Sequence, residues 1–174
     1  MGKKIAYWFV VQHDLDSYLT LITMPTLSTM QRSLIAIVLL IIALVFSIPW
    51  GLYYLGLKDV GGRPDLPARM ISSDMQQKIW AESGYEGQPE SVALNPVSYI
   101  LSASGQDAPP PVTLFAWRVA SSYQRQHHAH DGVMWQQLSG GALTIWLSRH
   151  WTIEQLLSKV AELEEKKRQT SKAD

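Results

Sequence analysis

From Ser33 to Leu57 the chain reads SLIAIVLLIIALVFSIPWGLYYLGL, 25 residues without a charged side chain. As a helix this run would be about 37 Å long at ~1.5 Å per residue, against a bilayer hydrocarbon core of about 30 Å. Its continuous aliphatic part, Leu34 to Ile48, gives way to Pro49, Trp50, Tyr53 and Tyr54, an aromatic set suited to the headgroup level of one membrane face. A buried helix of a soluble protein rarely has this length and purity. The run starts after residue 32, and no A-x-A-like cleavage site follows it, so it predicts an uncleaved single membrane anchor over 33–57 rather than a signal peptide.

The anchor divides the chain into an N-terminal arm, 1–32, and everything after it. Within the arm, IAYWFVV (Ile5 to Val11) and YLTLIT (Tyr18 to Thr23) are rich in β-branched and aromatic residues, a pattern for a small hairpin or a segment lying on the membrane surface. After the anchor, the Gly- and Pro-rich stretch KDVGGRPDLPARM predicts a linker over 58–67 and a folded domain over 68–168. Ser73 with Gln76 has the form of a capping box, opening a helix through DMQQKIWAES with Ile71, Met75 and Ile79 on one face. A short apolar element follows, entered through Asn95 and Pro96.

Val112, Phe115, Ala116, Val119, Ala120 and Tyr123 recur at the spacing of one helix face, which predicts a core-facing helix over Val112 to Gln126. A last helix is signalled by the capping box of Thr152 with Gln155 and by a staple of Trp151 with Leu156. Its apolar stripe is Ile153, Leu156, Leu157, Val160 and Ala161, with Glu162–Lys166 and Glu164–Arg168 as i,i+4 pairs on the wet side. Residues 169–174 should fray as a disordered tail. The fold class expected is mainly α: one transmembrane helix plus a small helical soluble domain.

Fifteen basic and fifteen acidic residues leave no net charge, so a nucleic-acid partner has no electrostatic support. The absence of cysteine excludes a disulfide framework. Lys3, Lys4 and Arg32 on one side of the anchor balance Lys58, Arg63 and Arg69 on the other, so charge alone does not orient it. No cofactor is expected.

Two groups of residues are candidates for chemistry. His127, His130 and Asp131 share a face if the chain is helical there, and His128 and His130 do if it is extended, either of which could hold a divalent metal. The alternative is the polar end of a helix, since Gly132 follows and histidines suit a helix C-terminus. That alternative is preferred, and no metal is expected. Glu82, in WAESGY, lies near a helix end beside aromatic residues, where a raised pKa would suit a general acid.

The stretch SGGALTIWLSRH, Ser139 to His150, followed by WTIEQLLSKVAELE, resembles the family 51 peptidoglycan glycosyltransferases, the transglycosylase domain of bifunctional penicillin-binding proteins. Their pattern runs G-G-S-T-I-T-Q-Q-L-x-K-N and then a helix with R-K-x-x-E. Aligned without a gap, Thr144 meets the second threonine, Arg149 the lysine, and Lys159 and Glu162 the lysine and glutamate of the following motif. IWAESGY is similar to the start of the family's upstream E-D-x-x-F-x-x-H-x-G. The resemblance therefore implies a lysozyme-like helical domain in which Glu82 is the general base and Glu162 the second carboxylate, with Thr144, Arg149 and Lys159 contacting glycan.

It also implies peptidoglycan or its lipid-linked precursor as ligand, the bacterial inner membrane as location, a cytoplasmic N-terminus and a periplasmic domain. The departures from the family pattern concern polar contacts. Ser83 replaces the aspartate, and Gly141–Ala142 and Ile145–Trp146 replace the S-T and Q-Q pairs. Two functions are therefore expected as competitors. One is a non-catalytic subunit or docking module with membrane lipid and envelope proteins as partners, using an aromatic face around Trp135, Trp146 and Trp151. The other is an active glycosyltransferase using Glu82 and Glu162 across one cleft.

Overall fold

The computed structural model of the chain describes residues 28–103, 105, 108–127 and 129–173. The two candidate strands of the N-terminal arm and His128 lie outside the described residues. Six α-helices occur among the described residues, with no strand: α1 Thr29–Val60, α2 Ser73–Glu82, α3 Pro96–Ala103, α4 Val112–His127, α5 Val133–His150 and α6 Ile153–Ala173. The protein is mainly α-helical, and α1 is one helix long and apolar enough to cross a membrane.

The chain forms two compact units, Met1–Ala43 and Leu44–Asp174, with the division inside α1. In the first unit α1 opens on a capping box: the Gln31 amide N–H donates to Ser28 Oγ at 3.3 Å, and the Ser28 N–H donates to Gln31 Oε1 at 3.0 Å. Leu34, Ile37, Leu39 and Leu40 then stand exposed, so no protein core claims this part of the helix.

The second unit holds the hydrophobic core. It begins with exposed Leu44, Val45, Phe46 and Ile48, and then α1 changes character. Pro49, Tyr53, Gly56, Leu57 and Val60 are buried at spacings of three, four and one, which is one face of a helix. The helix thus runs three residues past the expected end of the anchor, and residues 58–60 are helical rather than linker. The physical reason is burial: this face meets α5, and a Cβ built on Gly56 would lie 2.6 Å from the Leu138 carbonyl oxygen.

Helix α5 is central. Ser139 to Ile145, Leu147 and Ser148 are all buried, so its apolar residues lie all round and show no stripe. Helices α4 and α6 supply Phe115, Val119, Leu156, Leu157 and Val160 to the same core, each at most 1% exposed. Trp80 of α2 stacks on Phe115 of α4 with ring centroids 5.6 Å apart.

Serines fasten the connecting segments to these helices. Ser158 Oγ accepts from the Ile71 N–H at 3.2 Å, Ser148 Oγ from the Leu94 N–H at 3.1 Å, and Ser91 Oγ from the Ile153 N–H at 2.9 Å. Each satisfies an amide that would otherwise be left unpaired on leaving water.

The capping box of α6 forms as expected, with the Gln155 N–H donating to Thr152 Oγ1 at 3.3 Å and the Thr152 N–H to Gln155 Oε1 at 2.9 Å. That of α2 does not. Ser72 is the N-cap, accepting from the Met75 N–H at 3.4 Å, while Gln76 donates to the Ile71 carbonyl. With two serines in sequence, the cap falls on the one whose backbone is extended, φ −64 and ψ 157 for Ser72.

Candidate functional site

The five residues singled out by the family outline are not brought to one place. Glu82, at the end of α2, is exposed and faces Lys78 at 3.8 Å. It lines a groove of about 750 Å³ between α2 and α6, together with Arg69, Lys78, Glu165 and Lys172. Glu162 lines a different groove of about 720 Å³ between α4 and α6. The expectation of two carboxylates across one cleft is therefore not met, because α6 presents Glu162 and Glu165 to different neighbours.

Glu162 already has partners. Its Oε1 accepts from Lys159 Nζ at 2.8 Å and its Oε2 from the Ala68 N–H at 2.9 Å, across a separation of 94 residues. Burial raises the Glu162 pKa, but the Lys159 and Ala68 hydrogen bonds and the charges of Lys159 and Lys166 outweigh it and leave the carboxyl below its ordinary range. Such a group is a held anion that clamps the 61–72 segment to α6. Lys159 is committed to it, and the expected Glu162–Lys166 pair is replaced by this nearer contact. Glu164 likewise turns to Arg118 of α4 at 3.4 Å, while the Arg168 Nε donates to the Glu164 backbone carbonyl instead.

Thr144 is fully buried, and its hydroxyl donates to the Gly140 carbonyl at 2.8 Å. No glycan reaches it without unfolding α5. The Gly140–Gly141 pair is helical, and its missing side chains seat aromatic rings: a built Cβ would meet Trp117 at 3.0 Å from Gly140 and Tyr99 at 3.3 Å from Gly141. Burial raises the Tyr99 phenol pKa, partly offset by its hydrogen bond with Thr144. The glycine motif, whose Thr144 the resemblance assigns to glycan contact, is a packing seam here.

Arg149, at the end of α5, donates from Nη1 to the Leu94 carbonyl at 3.2 Å and lies 5.6 Å over the Trp50 ring. Of the three tryptophans expected on one face, Trp151 is in the core, while Trp135 and Trp146 are half-buried and stack on His130 at 4.6 Å and His150 at 4.4 Å. They do not form one exposed surface.

The histidine segment behaves as a helix end and a turn. His127 stacks on Tyr123 at 4.0 Å and its Nδ1 meets the Tyr123 carbonyl at 2.9 Å. Among the described residues no cluster of three or more ligating side chains could hold a metal. His130 has a partner that the sequence did not suggest: its Nδ1 is 2.5 Å from Oδ1 of Asp59, whose side chain is 1% exposed. The Ala129 N–H adds a bond to the Asp59 carbonyl at 3.1 Å. Among the described residues, buried Asp59 Oδ2 has no hydrogen-bond partner.

The groove between α4 and α6 carries more basic than acidic side chains. Arg63, Arg118, Arg125, Lys159, Lys166 and Lys167 line it against Asp65, Glu162 and Glu164. Val119, Tyr123, Val160 and Leu163 make an apolar floor.

Fold and sites together define a mainly α-helical protein with one candidate membrane-spanning helix, the end of which is built into a helical domain. No family model, curated protein or solved structure matches the chain.

Proposed function

We propose that the chain is a single-pass membrane protein whose helical domain is a docking module of an envelope assembly, not an enzyme. The observation that carries this is the construction of α1. Its apolar side chains from Leu34 to Ile48 are exposed, whereas Tyr53, Leu57 and Val60 belong to the domain core. Water is a poor neighbour for such a helix, at about 25 cal/mol for each Å² of apolar surface, and lipid removes that cost. An apolar stretch that runs on into residues of the domain core tethers the domain directly to a membrane, as a docking module requires.

The placement of Glu82 and Glu162 in different grooves supports the non-catalytic half of this reading, and so does the sealed Thr144. We assign the α4–α6 groove to the partner, whose complementary chemistry is an acidic segment of another protein chain. The compartments follow the family resemblance: a degenerate glycosyltransferase-like domain in the bacterial periplasm and the N-terminus in the cytoplasm.

Alkaline carbonate extraction and protease accessibility of a C-terminal tag in spheroplasts test the anchor and its orientation. The tag should be digested from outside and the protein should stay with the membrane. Extraction into the supernatant refutes the anchor, and a protected tag refutes the orientation. Reversing Arg125 and Lys167 to glutamate should abolish co-purification of the partner, while Glu82→Gln with Glu162→Gln should leave it intact. Glycan polymerisation by the isolated chain would overturn the docking assignment.

A further inference from the structure

At the end of the second unit where α1 leaves its exposed apolar stretch, two arginines converge from different parts of the chain. Arg149 comes from the end of α5 and lies 5.6 Å over the Trp50 ring. Arg63 comes from the segment after α1, folds back, and lies 5.2 Å over the Trp146 ring. Trp146 lies one turn before Arg149 on α5, and Arg63 reaches the Leu57 carbonyl two turns beyond Trp50 on α1, so the two heads share one neighbourhood. Trp50 packs edge-on to Tyr53 at 5.8 Å, and Tyr53 to Tyr54 at 5.2 Å, completing an aromatic collar.

The arginines are held but not neutralised. Arg63 Nη1 donates to the Leu57 carbonyl at 3.4 Å and to the Gly62 carbonyl, and Arg149 Nη1 donates to the Leu94 carbonyl at 3.2 Å. Among the described residues, no carboxylate lies within salt-bridge distance of either, although Arg69, Lys78, Arg118 and Lys159 each have one. A guanidinium has five N–H donors, so each head keeps most of its fork for another group. Flat stacking on indole fixes the plane of the fork and lowers the entropy cost of using it.

The position decides the ligand. Ile48, Leu52 and Leu55 are exposed on the same helix as Trp50, so lipid chains and the arginine heads would lie within two turns of each other. A phosphate at that level carries the negative charge and the paired oxygens that two guanidinium forks match. We propose that Arg63 and Arg149 bind the phosphate of an anionic membrane phospholipid, with Trp50 and Trp146 as the stacking planes. The inference rests on α1 spanning a bilayer. It adds a headgroup preference that a simple apolar anchor would not have, and it locks the rotation and depth of the domain at the surface.

Full-length protein in vesicles of phosphatidylcholine, doped with acyl-brominated phosphatidylglycerol or acyl-brominated phosphatidylcholine, tests it through tryptophan quenching. Phosphatidylglycerol should quench at lower mole fraction, with a preference of about fivefold for each arginine. Arg63→Gln and Arg149→Gln should each remove about that factor, the two lysine replacements should keep part of it, and Arg69→Gln should change nothing. The lysine variants preserve charge and stem, so they keep the test decisive if a glutamine variant unfolds. Quenching by both lipids without preference overturns the phosphate site and leaves the anchor standing. No quenching by either overturns both. Displacement of phosphatidylglycerol by soluble glycerol phosphate would assign the site to free phosphate and overturn the lipid assignment.

Discussion

Gly56 tests whether the end of α1 belongs to the folded domain. A Cβ at this position would stand 2.6 Å from the Leu138 carbonyl oxygen, 3.0 Å from the Leu138 carbonyl carbon and 2.8 Å from Ala142 Cβ. Carbon atoms in contact prefer about 3.5–4.0 Å, so α1 and α5 would have to part by about 1 Å. Two of the three atoms are backbone and have no rotamer to move to. Overpacking of this kind costs about 1–3 kcal/mol. Alanine in place of glycine in a helix interior returns about 1 kcal/mol. Gly56→Ala should therefore lose about 0–2 kcal/mol. Gly51 lies in the same helix with nothing within 4 Å of a built Cβ, so Gly51→Ala should keep the propensity gain. The two alanine variants should thus differ by about 1–3 kcal/mol, the overpacking term alone, in favour of Gly51→Ala. Unfolding of the full chain in mixed micelles, titrated with dodecyl sulfate and followed by far-ultraviolet circular dichroism, measures the difference. Equal midpoints for the two variants would refute the close approach and remove residues 49–60 from the domain core.

Three further outcomes are expected. His130→Ala removes the side chain that pairs with the buried Asp59 carboxylate and should cost about 1–3 kcal/mol, less in an Asp59→Asn background; thermal melts of the four proteins check the coupling, and additive effects sink it. The lowered Glu162 pKa means that its ionised form favours the folded state, so its contribution is complete above the ordinary glutamate range and is lost as pH falls through the lower folded value. Melting temperature against pH should therefore fall less steeply on the acid side for Glu162→Gln than for the native chain, and parallel curves contradict the clamp. Glu82→Gln touches only an exposed ion pair and should shift stability by less than about 0.5 kcal/mol, which denaturant titration can resolve.

The parts of this fold legible in the sequence are those where one face of a helix is wet. α4 and α6 each carry an apolar stripe against a polar one; the end of α4 at His127 and the start of α6 at Ile153 were bounded closely, whereas residues 169–173, expected to fray, continue α6 to Ala173. α5 was not delimited, because a helix buried on all sides has no stripe, and because Gly140–Gly141 suggests a loop until Trp117 and Tyr99 are seen filling the missing Cβ positions. The same limit applies to the linker. Pro49, Tyr53, Gly56, Leu57 and Val60 do carry a helical period, but it overlaps the composition of an anchor and is masked by it.

The candidate site failed for a related reason. Spacing along the chain places Lys159 near Glu162, and the structure keeps them together at 2.8 Å. Spacing says nothing about Ala68, whose amide takes the other carboxylate oxygen, or about Asp59, which meets His130 across 71 residues. Both contacts convert a group that looks available for chemistry into one engaged in holding segments together.

Arg149 shows the converse. Sequence aligned it with a glycan-binding lysine in a polar motif whose neighbours had become apolar. In the folded chain its guanidinium lies over Trp50 of α1, while Trp146, three residues before it, takes the Arg63 guanidinium. A cation without a carboxylate is costly deep in a core and inexpensive at a membrane surface, where indole faces and lipid phosphates are both at hand. Of the residues that stand where the glycosyltransferase pattern has polar contacts, Trp146 is the one that meets a guanidinium, because Arg63 folds back from the segment after α1 onto the end of α5.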